Sequence, residues 1–136
     1  MNQNKDSIIH KLQTFFQQQE EITTLYLFGS WAKESKDQPG DIDVAILLSE
    51  QSKTITSTPV DQWMHYREKL QQHFPQQTID LTILNTANPI LKQQIFYYGY
   101  QVGLRNKEEY LQFRMKTYQQ QFDMIHIQQK IRQHQE

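Results

Sequence analysis

Gly29-Ser30-Trp31-Ala32-Lys33-Glu34-Ser35-Lys36-Asp37-Gln38-Pro39-Gly40-Asp41-Ile42-Asp43 is the stretch that decides how this chain folds. It follows Ile22 to Phe28, an apolar run rich in β-branched and aromatic residues that reads as a buried strand. Gly29 and Ser30 end that strand in a tight turn, and Ser30 with Ala32 could open a short helix. Ten residues further on, Asp41 and Asp43 begin a second strand that runs to Leu48. Side chains two apart on a strand share a side, so Asp41 and Asp43 face together. Ile42, Val44, Ile46 and Leu48 then face the other way, into a core. Two neighbouring carboxylates repel, and a divalent cation with oxygen ligands relieves that repulsion.

A third strand, Thr78 to Leu84, repeats the pattern: Ile79, Leu81 and Ile83 share one side and Asp80 points to the other. Three carboxylates on one side of neighbouring strands suit one or two magnesium ions held against a triphosphate. A glycine turn with a serine hydroxyl beside them suits the phosphates. Nucleotidyl transfer needs this set of groups, because charge must be neutralised at the phosphates while an attacking hydroxyl is activated and pyrophosphate leaves.

Gly29-Ser30, ten residues, Asp41-Ile42-Asp43 and then Ile79-Asp80-Leu81 resemble the signature of the polymerase-beta-like nucleotidyltransferase superfamily. The short chain is most similar to the minimal nucleotidyltransferase (MNT) antitoxins that pair with HEPN toxins. The resemblance covers roughly residues 20 to 105. It implies an α/β (α+β) fold: a small mixed sheet with flanking helices, followed here by a long C-terminal helix. It implies Asp41, Asp43 and Asp80 as catalytic and metal-binding residues, two Mg2+ ions, and ATP as substrate held by Gly29, Ser30 and Lys33. Where family members often carry Ala-Arg-Gly, this chain has Ala32-Lys33-Glu34, and Gly40 stands where a serine often precedes the first acid. Lys33 keeps a cation for phosphate as a point charge, without arginine's bidentate fork, while Glu34 adds a negative charge.

The 136 residues suit one domain, and the apolar residues, only 37% of the chain, fall in periodic blocks able to build a core. A net charge of −1 gives no basic footprint for nucleic acid. Without cysteine there are no disulfides or thiolate metal sites, which fits a reducing compartment. No stretch reads as a signal peptide or a membrane span, so the expectation is a soluble, cytoplasmic protein.

Taken in order, Ile8, Ile9, Leu12, Phe15 and Phe16 give residues 5 to 19 one apolar helical face. Lys33 to Gly40 reads as a loop over the phosphate side, and Ser49 to Ser57 as a surface loop. Thr58-Pro59-Val60-Asp61 is a helix start, with Val60, Trp63, Met64, Leu70 and Phe74 on one side of the helix. Trp63 reads as a core anchor, His65 and His73 as surface residues. Asn88-Pro89 begins another helix that Gly99 ends, and Tyr100 to Leu104 reads as an edge strand. Tyr97, Tyr98 and Tyr100 cluster there, suited to packing, an interface or contact with a base.

From Lys107 onward the chain reads as one long helix whose Leu111, Met115, Tyr118, Phe122 and Ile125 fall on a four–three spacing. Met124, Ile127 and Ile131 form a second, weaker stripe. The first half of this helix could pack back on its own domain. The second half extends past what a small sheet can cover, and apolar stripes there ask for a partner. The expected division is residues 1–105 as the nucleotidyltransferase domain and 106–136 as a helical tail for partner docking. By resemblance the partner is a HEPN-type toxin and the reaction moves AMP from ATP to its tyrosine hydroxyl. A chain that neutralises its partner by binding alone is the alternative. A small-molecule acceptor is a third, and it would need a further helical domain for which the chain has little room.

Overall fold

The computed structural model describes residues 4–29, 41–50 and 58–134. In chain order the elements are α1 (Lys5–Gln18), β1 (Ile22–Phe28), β2 (Ile42–Leu48), α2 (Pro59–Gln71), β3 (Ile79–Ile83), a 3-10 turn (Leu84–Thr86), α3 (Pro89–Tyr98), β4 (Tyr100–Leu104) and α4 (Lys107–His134). The strands form one mixed sheet in the order β3-β2-β1-β4. β1 pairs antiparallel with both β2 and β4, and β2 pairs parallel with β3. The expected α/β architecture with a long C-terminal helix is the one observed.

Local chemistry explains the helix boundaries. Thr58 caps α2 by accepting a hydrogen bond from Asp61 N at 3.2 Å, with Pro59 at the first helical position. Asn88 caps α3 in the same way, accepting from Leu91 N at 2.8 Å, again with a proline next. Asn4 caps α1 through Ser7 N at 2.8 Å.

The sheet is covered on both faces, so β1 and β2 are buried along nearly their whole length. On one face Leu25, Leu27, Val44, Ile46, Ile79 and Leu81 meet Ile8, Leu12 and Phe15 of α1 and Tyr66 and Leu70 of α2. On the other, Tyr26, Ala45 and Leu47 meet Ile95 and Phe96 of α3 and Tyr110 of α4.

The buried side of α2 differs from the expected one. Tyr66 and Leu70 turn inward, while Val60 and Met64 are exposed. Tyr66 can enter the core because its hydroxyl donates to a carboxylate oxygen of Glu21. Trp63 is partly exposed, and its indole Nε1–H donates to the Leu81 carbonyl at 2.8 Å, closing an edge of β3. His73 is half-buried, with its ring edge-on to Phe15.

The root of α4 is tied to the sheet. The Arg105 guanidinium donates to the carbonyls of Phe16 at 2.8 Å and Gln19 at 2.9 Å and to that of Ile22, and it stacks on the Phe16 ring. Glu109 accepts from the hydroxyls of Thr23 and Ser49 and from Glu50 N, each at 3.2 Å. Beyond this root α4 packs through Tyr110, Phe113 and Thr117, not through the predicted seam. Leu111, Met115, Tyr118, Phe122 and Ile125 lie roughly a third of a turn round the helix and are exposed.

Candidate functional site

The strand directions bring four chain segments to one end of the sheet. β1 finishes there at Phe28, β2 and β3 start there, and β4 starts there with Tyr100 opposite Leu27. Alternation puts Asp43 and Asp80 on the face that carries α3 and α4, because their neighbours Ile42, Val44, Ile79 and Leu81 fill the opposite core. Parallel register then makes Asp43 and Asp80 direct partners, with the two carboxyl groups close enough for each to feel the other's charge. Asp80 is exposed and Asp43 is half-buried. Asp41 lies just before β2, exposed, and close enough to raise the cost of ionising Asp43.

Burial, the charge of Asp80, hydrogen bonding to it and the charge of Asp41 together push the Asp43 carboxyl up to about 6. The acids are therefore crowded in a way that a bound cation would relieve, and an all-oxygen donor set suits a hard divalent ion such as Mg2+. Among the described residues no three His, Asp or Glu side chains already close on one point as a metal cage. The donors brought together are the Asp43–Asp80 pair, with Asp41 beside it.

Gly29 adjoins this pair. Its φ of 71° lies in the left-handed region, where side chains are disfavoured. A Cβ placed on it would sit 2.1 Å from Asp43 Oδ2. The glycine thus lets the β1 backbone and the carboxylate approach each other, leaving main-chain groups close to the acids. Ser30 and Lys33, together with the expected short helix and the loops at 33–40 and 51–57, lie outside the described residues.

Other aromatic groups flank this end of the sheet. Tyr97 and Tyr98, on the last turn of α3, are 80% and 72% exposed and set edge-on at 4.8 Å between ring centroids. The buried hydroxyls of Tyr26 and Tyr110 are hydrogen-bonded to each other on the same sheet face. Burial and that bond push the Tyr26 phenol well above its usual range. This pair is not visible in the sequence, since nothing in either tyrosine's local pattern points to a partner 84 residues away.

Residues 10–108 match the family model described as polymerase beta, nucleotidyltransferase. A search of curated proteins finds no match. Among solved structures, the chain is similar to a chain of a toxin–antitoxin complex with AMP-PNP, at 26% identity and a TM-score of 0.67, covering 95% of each. It is similar to a chain of a Shewanella oneidensis complex of tri-AMPylated HEPN toxin with MNT antitoxin, at 26% identity and a TM-score of 0.61, covering 94% of this chain and 92% of that one. It is also similar to a chain of the toxin–antitoxin MntA-HepT, at 25% identity and a TM-score of 0.60, with the same coverage. Among the described residues no helix is long and apolar enough to cross a membrane.

Proposed function

The chain belongs to the polymerase-beta nucleotidyltransferase family, and from that premise we propose that it is an antitoxin that transfers AMP from ATP to a tyrosine of a HEPN-type toxin. The observation that carries this reading is the register-paired acids Asp43 and Asp80, set beside a left-handed glycine at the open end of the sheet. The likeness to a complex with AMP-PNP and to one with tri-AMPylated toxin supports the nucleotide and the acceptor.

In this reading Asp41, Asp43 and Asp80 hold magnesium, which when bound neutralises phosphate charge and favours departure of pyrophosphate. Gly29, Ser30 and Lys33 hold the triphosphate, the glycine through main-chain N–H groups. Asp80 accepts the acceptor tyrosine's proton as its oxygen attacks the α-phosphorus, and the bond from that phosphorus to pyrophosphate breaks. Residues 1–105 carry this chemistry, and residues 106–136 dock the toxin through the exposed seam of α4.

Intact-mass spectrometry of the neighbouring gene's product, after incubation with this chain, ATP and magnesium, tests the proposal. The expected result is a gain of one or more AMP groups that Asp41→Asn/Asp43→Asn abolishes while the complex persists. A stable complex with no mass change favours the second reading, neutralisation by binding alone. The exposed seam of α4 serves that reading equally well.

A further inference from the structure

Lys92 is the buried cation of this fold. It is 5% exposed, lies on α3 facing α4, and its Nζ donates one hydrogen bond, to Gln120 Oε1 at 3.2 Å. The Phe113 ring lies 4.9 Å from the ammonium, and among the described residues no carboxylate pairs with it. Burial and the nearby charge of Lys116 both push its pKa down. Lysine is almost never fully buried without a compensating charge.

Lys92 lines an open, shallow cavity of about 430 Å³ between the start of α3 and α4, together with Thr86, Pro89, Gln120, Asp123 and Met124. Met124 is where the inner face of α4 runs out. Tyr110, Phe113 and Thr117 press that face on the domain, and Met124, Ile127 and Ile131 carry it onward at the same three–four spacing. Ile127 and Ile131 are 56% and 53% exposed. Lys92 on α3, without a carboxylate partner among the described residues, and the apolar overhang of α4 therefore adjoin across Gln120 and Met124.

We infer that this corner is a second docking surface, distinct from the outer seam of α4, and that it takes an apolar, acid-bearing segment of the HEPN-type partner. The partner's apolar residues cover Met124, Ile127 and Ile131, and one of its Asp or Glu side chains enters the cavity to pair with Lys92. Asp123 on the cavity rim makes no ion pair with Lys92, so the ammonium's remaining hydrogens are open to an incoming carboxylate. The chemistry required of the partner is apolar side chains beside one Asp or Glu. The inference rests on the reading of this chain as an antitoxin with a HEPN-type partner.

The test is calorimetric titration of that HEPN partner into full-length wild type, Lys92→Met and Ile127→Ser. Losing one member of a buried charge pair typically weakens binding by well over tenfold. The expected result is that Lys92→Met melts no lower than wild type, binds at least tenfold more weakly and loses part of the salt dependence, while Ile127→Ser also weakens binding. Equal affinity for wild type and Lys92→Met overturns this inference and leaves the antitoxin reading standing. A wild type that binds no HEPN protein overturns both. If Lys92→Met does not fold, NMR of the Lys92 side chain in wild type decides: its titration midpoint rises on complex formation if a carboxylate arrives. An unchanged midpoint overturns the inference.

Discussion

Asp43 and Asp80 stand opposite each other in adjacent parallel strands, and burial together with the charge of Asp80 pushes the Asp43 carboxyl up to about 6. The folded chain therefore holds a proton that the unfolded chain releases at lower pH. With Asp43 raised from 3.8 to about 6, its contribution is fully present below the ordinary carboxylate range and is lost as pH rises through about 6. Asp43→Asn should leave stability unchanged near pH 3.5 and raise it above roughly pH 6.5 by on the order of 1 kcal/mol, allowing for solvent screening. Melting temperatures across that range measure the effect, and a variant less stable than wild type at pH 7 contradicts it. Because the cation competes with the proton, magnesium should also bind more tightly as pH rises through the same window.

Gly29→Ala should damage the site from the backbone side. The new methyl would need space that Asp43 Oδ2 occupies, at a φ of 71° that alanine tolerates poorly. A loss of about 2 kcal/mol is expected, with a fall in transfer activity at temperatures where the variant remains folded. Urea denaturation and initial rates measure the two effects separately.

The hydroxyls of Tyr26 and Tyr110 satisfy each other in a buried site. Tyr26→Phe or Tyr110→Phe alone strands the other hydroxyl and should cost about 1–3 kcal/mol. The double substitution should cost less than the two single costs combined, because no unpaired group remains. A double-mutant cycle by chemical denaturation gives the coupling, and strict additivity would show that the two groups act independently.

The two sides of α4 should respond in opposite ways. Phe113→Ala removes packing against Phe96 and the second core, and should destabilise the chain by about 3 kcal/mol. Phe122→Ser lies on the exposed seam and should leave the melting temperature within error. If the seam docks the toxin, Phe122→Ser should instead weaken the complex by about 2 kcal/mol.

These contrasts show which physical signals a sequence carries. Period-two alternation is a local property, so the strand faces, and with them the side shared by Asp43 and Asp80, are legible in the order of residues alone. The caps Thr58-Pro59 and Asn88-Pro89 are equally local and mark their helix starts. The packing face of α4 is not legible, because the sheet side is made by Tyr110, Phe113 and Thr117 while the outer seam is the more apolar. A hydrophobic count selects the exposed face instead. Tyr66 escapes the same reading for a related reason: its burial depends on Glu21, 45 residues away. Lys92 follows the same rule, since its burial rests on Gln120 and Phe113 of another helix.

Arg105 gives α4 mechanical precision. The helix has 28 residues and is about 42 Å long at 1.5 Å per residue. A tilt of about 5° at its root would sweep the far tip through roughly 4 Å, more than the reach of a hydrogen bond. By gripping three carbonyls at the end of α1 and the start of β1, the guanidinium fixes the fulcrum of this lever. Substituting Arg105 would free only this root, because Tyr110, Phe113 and Thr117 still press the first half of α4 on the domain.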